Sequence, residues 1–138
     1  MDNTITITRQ LVAVEDRLDI TAELFEHNFP MRLEPFVYGV TGKLSSDYHG
    51  GYWEFYTLDN GGFYMAQDTG RKFQVFCENG FSGELSADAL GITACMYAYS
   101  HLSFGDDAFA EVCAEQFHWL RDYVMGHAEV RQILRAVD

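Results

Sequence analysis

The chain has 138 residues, 48% of them hydrophobic and 15% aromatic, which fits one globular domain and excludes a disordered segment. Asp and Glu number 21 against 9 Lys and Arg, a formal net charge of -12. That balance argues against direct DNA binding, which depends on Lys and Arg neutralising phosphates. No apolar run approaches the ~20 residues of a membrane helix, and MDNTITITRQ lacks the basic-then-apolar pattern of a secretory signal, so the expected location is the cytoplasm, away from membranes.

The N-terminal stretch TITITRQLVAV, residues 4–14, alternates and then turns apolar, and Val12 and Val14 are candidates to start a strand. Glu15 to Ile20 reads as a polar connection. Asp19 or Thr21 is placed to cap a short helix over Ala22–Phe29, with Leu24 and Phe25 inward and Pro30 ending it. Pro35 suits the first turn of the next helix, where Phe36, Val40 and Leu44 make one apolar stripe at spacing four. Ser45 to Gly51 is a loop.

The segment from Gly50 to Gly91 carries the clearest pattern. Four strands are expected: Tyr52–Leu58, Phe63–Gln67, Lys72–Cys77 and Phe81–Leu85. The turns between them are Asp59–Gly62, Asp68–Gly70 and Glu78–Gly80, and two of these hold an Asn-Gly pair, which supplies the positive φ angles of a type I′ turn. Aromatic residues on both faces of Tyr52–Leu58 mean that neither face is solvated. Ser86 can cap a helix over Ala87–Leu102, with Asp88 favoured in its first turn by the helix dipole. That helix is apolar nearly all round, which marks it as the central core helix.

After Gly105, Asp106 or Asp107 caps a long helix of about Ala108–Met125, with Phe109, Val112, Cys113, Phe117, Leu120 and Val124 on one face. Gly126 stops it. A last helix, Glu129–Ala136, turns Val130, Ile133 and Leu134 inward and Arg131 and Arg135 outward. The expected fold class is α+β: a small antiparallel β-meander of three to four strands packed against a buried helix and flanking helices.

The candidate chemistry is sparse. Cys77, Cys95 and Cys113 are odd in number and widely spaced, and the five histidines form no ligand pattern, so neither a disulfide framework, a metal nor a cofactor is expected. Asp107, Glu111, Glu115 and Asp122 form an acidic stripe on the long helix, a candidate binding face. Its carboxylates lie about 6 Å apart, against about 3.4 Å for phosphates along one DNA strand, so one stripe has half the charge density of a strand. Asp47 and His49, with Glu54, Asp59 and Asp68 nearby, are the alternative: an acid–base pair for a hydrolase-like or nucleotide-processing enzyme. No nucleophile elbow or phosphate loop accompanies them, and the glycines are explained by turns. The aromatic cluster around Trp53 and Tyr64 lacks the basic neighbours of a base-stacking platform and reads as core.

GGYWEFYTLDNGGFYMA followed by NGFSGELSADALGI resembles the ArdB/KlcA antirestriction family, and FHWLRDYVMGHAEVRQILRAVD is similar to that family's closing helices. The resemblance covers about residues 17–138, with residues 1–16 looser, and implies a single antirestriction domain over 1–138. It implies a small α+β protein of mobile DNA that protects incoming DNA from type I restriction-modification in the host cytoplasm, without catalytic residues. The partner it implies is the type I restriction enzyme complex or an accessory host protein, and the oligomeric state stays open.

Overall fold

The structure, a computed structural model, describes residues 6–138. Thr4 and Ile5 of the alternating N-terminal stretch lie outside the described residues. The order is β1 (Arg9–Leu11), a 3-10 turn (Val14–Asp16), α1 (Arg17–Phe25), a π-helical turn (Phe29–Leu33), α2 (Glu34–Leu44), β2 (Trp53–Leu58), β3 (Phe63–Gln67), β4 (Lys72–Phe76), β5 (Ser82–Ser86), α3 (Ala87–Leu102), α4 (Ala108–Val124) and α5 (Val130–Val137). The architecture is α+β, with two small antiparallel sheets, β1-β2-β3 and β4-β5. Among the described residues, no helix is long and apolar enough to cross a membrane.

The β2–β3 hairpin turns at Asn60-Gly61, with Trp53 opposite Gln67 and Thr57 opposite Phe63. The turn is not the expected type I′: Gly61 has φ +101° but Asn60 does not have a positive φ, and the Gly61 N–H donates to the Leu58 carbonyl at 3.0 Å, so Asp59 and Asn60 are the central pair and Gly61 takes the left-handed position after them. Asp68–Gly70 does not fold β4 back onto β3; the chain changes sheet there. Phe63 to Ala66 are all buried, whereas β4 alternates, with Phe73 and Val75 inward and Lys72, Gln74 and Phe76 outward. A strand covered on both sides and a strand wetted on one side need different surroundings. β4 and β5 pair with each other as a half-buried hairpin, with Lys72 opposite Ser86 and Phe76 opposite Ser82.

The expected central helix is α3, buried over almost its whole length. Ser86 caps it by accepting from the Ala89 N–H at 3.1 Å. Gly91 lets α3 lie against β3: a Cβ there would come within 2.4 Å of the Ala66 Cβ and 2.5 Å of the Met65 carbonyl oxygen. Deeper along the helix, Tyr99 donates to the Phe63 carbonyl at 2.8 Å.

The N-terminal third departs most from expectation. The strand is Arg9–Leu11; Val12 is buried and donates its N–H to the Phe55 carbonyl at 2.8 Å, while Val14 is exposed. Residues 15–20 are a 3-10 turn followed by helix rather than a connection, because Thr21 bonds back to the Arg17 carbonyl at 2.8 Å instead of capping. Pro30 does not stop a helix but sits in the first turn of the π-helical segment that runs into α2, where its missing N–H is harmless. The inward residues of α2 are Val37, Thr41 and Leu44. Phe36 instead turns to stack on His101, ring centroids 4.8 Å apart.

Candidate functional site

The acidic residues of α4 divide on inspection. Asp107 is the N-cap: its carboxylate accepts from the Ala110 N–H at 3.1 Å and from Arg32 at 2.8 Å. Glu111, Glu115 and Asp122 are exposed. The buried side of the same helix reaches the β2–β3 turn. Gln116 accepts from the Phe63 N–H at 2.9 Å and donates to the Gly61 carbonyl at 3.2 Å, and Asn60 donates to the Trp119 carbonyl at 2.9 Å.

Asp122 borders a groove of about 540 Å³ with Arg9, Tyr123 and His127 among its other walls. Behind the groove lies a polar network that the sequence did not announce. Asp88 Oδ1 accepts from Arg9 at 2.8 Å and from the Tyr64 hydroxyl at 2.9 Å, and Oδ2 lies 2.8 Å from His127 Nε2. His127 Nδ1 accepts from the Glu129 N–H at 2.9 Å, which places the ring proton on Nε2, facing Asp88. Glu129 in turn accepts from the Ser86 N–H at 3.0 Å and from the Ser86 hydroxyl. Burial pushes the Asp88 carboxyl up, but hydrogen bonds from His127 and Tyr64 and the Arg9 charge outweigh it and hold the group below its usual range. Burial, then the Asp88 charge, drives the Tyr64 phenol well above its ordinary value.

In this network both nitrogens of His127 are occupied, and Asp88 accepts from three groups. The arrangement holds the start of α3, β1, β3 and the α4–α5 junction together; it leaves the imidazole no lone pair to take a proton from a substrate. Burial pushes the Cys95 and Cys113 thiols up to about 12, so neither is a thiolate nucleophile at neutral pH.

The Asp47 and His49 loop is also occupied with structure. Asp47 Oδ2 accepts from the Gln74 N–H at 2.9 Å, and its carbonyl accepts from Arg71 at 3.3 Å, tying the loop to β4. His49 is exposed, and among the described residues no hydrogen bond joins it to Asp47. Asp59 bonds to Thr8 at 3.1 and 3.0 Å and closes the β1–β2 edge.

The sequence model of a family described as "Antirestriction protein" matches residues 46–138. The chain is 41% identical over 136 residues to an antirestriction protein KlcA of Escherichia coli, covering 96% of this chain and 95% of that one. The chain belongs to the antirestriction protein family. A family relative, the uncharacterized protein YafX of Escherichia coli K12, is 37% identical over 109 residues, covering 77% of this chain and 70% of that one. A solved structure of the KlcA and ArdB proteins matches 99% of this chain and 100% of its own at TM-score 0.90 and 39% identity. Those proteins show a novel fold and antirestriction activity against type I DNA restriction systems in vivo but not in vitro.

Within this family member, the Arg9–Tyr64–Asp88–His127 network is what sequence reasoning missed. Asp88 was legible as a first-turn acid, but its three partners lie 79, 24 and 39 residues away along the chain. No local spacing encodes such a contact.

Proposed function

We propose that this chain is an antirestriction protein that protects unmodified incoming DNA from type I restriction inside the cell, acting by protein contact and not by catalysis. The observation that carries this reading is the full-length likeness to the KlcA and ArdB structure. Activity of those proteins in vivo but not in vitro is what an inhibitor dependent on an accessory host protein, or on the enzyme complex as assembled in the cell, would give. The cytoplasmic location and the single functional unit over residues 1–138 go with that reading.

Two physical points support contact without chemistry. In the Asp88 network both nitrogens of His127 and both oxygens of Asp88 are engaged internally. Direct capture of DNA is disfavoured as well: of nine Lys and Arg, Arg9, Arg17, Arg32 and Arg121 are paired with carboxylates.

The test is plating of unmodified phage on a type I restricting host. Expression of the chain should raise plating efficiency toward that of modified phage, and leave a non-restricting host unchanged. No rise on the restricting host would defeat the proposal.

A further inference from the structure

A second groove of about 540 Å³ runs between α1 and the π-helical turn, lined by Val14, Leu18, Ala22, Phe29, Pro30 and Phe55. Its lip is apolar and wet: Leu18 is 84% exposed and Val14 63% exposed. A leucine and a valine held this far out on adjoining turns leave apolar area for a partner to cover.

The rim is acidic without counter-charge. Residues 14–34 hold six carboxylates and two arginines. Arg17 is turned inward, donating to the Trp53 carbonyl at 2.8 Å with its guanidinium 4.2 Å over the Phe55 ring. Arg32 is held by Asp107. Glu15, Asp16, Asp19, Glu23 and Glu26 are all exposed, and among the described residues none forms an ion pair. Asp19, Glu23 and Glu26 form the row beside Leu18 and Ala22.

Helix stability accounts for only part of this. Acids at the start of α1 suit the helix dipole, but Glu23 and Glu26 sit at its C-terminal end, where the dipole disfavours them. Glu26 also adopts φ 56° and ψ −144°, a conformation suited to glycine. A carboxylate is kept on the groove where both backbone and dipole oppose it.

We propose that this groove docks a basic amphipathic helix of a partner protein, its apolar face on Leu18 and Val14 and its Lys and Arg over the acidic row. Backbone pairing is not available on the floor, where the Phe55 carbonyl is taken by Val12 and the Trp53 carbonyl by Arg17, so side chains must do the reading, as in helix-in-groove recognition. A second copy of this chain would set acid against acid, and an anionic membrane would be repelled. The proposal rests on the antirestriction reading only where protection in cells is the readout.

The probe is an 18-residue Lys/Leu peptide patterned as an amphipathic helix, titrated into the 15N-labelled full chain. The docking proposal expects amide shifts centred on Val14, Leu18, Ala22 and His27. It also expects Leu18→Asp to weaken binding about tenfold, in the range of a central interface residue, with circular dichroism unchanged. Glu15→Lys/Asp19→Lys/Glu23→Lys should weaken it too, and Glu111→Lys/Glu115→Lys should not. Equal binding by a peptide with Gln in place of Leu would overturn the proposal, as would shifts centred on α4. A concentration-dependent dimer of the free chain, lost in Leu18→Asp, would assign the face to a second copy and overturn it likewise. In cells, Leu18→Asp should lose protection that the wild type gives. Full protection by the variant would overturn the docking role, whereas a wild type that gives none defeats the antirestriction reading and leaves the peptide titration to decide the groove.

Discussion

Single side chains in this protein do two jobs at once. Asn60 closes the β2–β3 turn through its Oδ1, bonded to the Gly62 N–H, while its amide reaches the Trp119 carbonyl on α4. Asn79 repeats the device, its Oδ1 on the Phe81 N–H and its amide on the Arg135 and Ala136 carbonyls at the end of α5. Both Asn-Gly pairs are thus turn residues and helix clamps. Glu26 is the opposite case, a residue whose backbone is ill suited to it. A non-glycine residue in such a conformation costs roughly 1–3 kcal/mol, and glycine gives back about 0.5–1 kcal/mol through unfolded-state entropy. Glu26→Gly should therefore stabilise the fold by about 1 kcal/mol and raise the melting temperature by about 3 °C. A lower melting temperature would show that the carboxylate stabilises the folded state more than the backbone opposes it.

At the level of elements, the Asp88 network joins the start of α3 to β1, β3 and the turn before α5. Removing its charge leaves Arg9 and His127 facing a neutral amide, and Asp88→Asn should cost about 2–3 kcal/mol at pH 7. The folded-state pKa of Asp88 is depressed, so its stabilisation is present above the unfolded value of about 3.9 and is lost as pH falls through the lower folded value. The gap between wild type and Asp88→Asn in urea unfolding should accordingly shrink from pH 7 to pH 3. An equal gap at both pH values would mean that the carboxylate charge is not what holds the network. The elements themselves were largely legible where the pattern is local: the Asn-Gly turns, the Ser86 cap, the all-round apolar α3 and the α4 face from Phe109 to Val124 all follow from spacing. What sequence reading lost was decided by competing local bonds or at a distance. Thr21 was available as a cap but bonds backward to Arg17, Pro30 opens a turn instead of closing one, and the strands after Asp68 leave the first sheet to pair with each other. The groove beside α1 was hidden for the same reason, since Arg17 had to be placed inward before its acidic neighbours stood alone.

Across the whole molecule, the question is whether the net charge of -12 works as an imitation of DNA or as local complementarity to a protein. Imitation requires evenly spaced, unpaired charge over a long face. On α4, Asp107 is neutralised by Arg32, and Arg121, beside Asp122, is committed to Asp138 at 3.1 Å. Glu111, Glu115 and Asp122 remain without an ion-pair partner among the described residues, the first two about 6 Å apart and Asp122 nearly two turns further on, where each DNA strand carries a phosphate about every 3.4 Å. Such a row is too short and too thin to displace a duplex from an enzyme. Charge reversal at Glu111, Glu115 and Asp122 should therefore leave phage protection at the wild-type level, provided the variant keeps its melting temperature. Because exposed charges contribute little to stability, that condition should be met, and the assay reads function. Loss of protection in a fully folded triple variant would return the α4 face to the centre of the mechanism and make electrostatic imitation the better account.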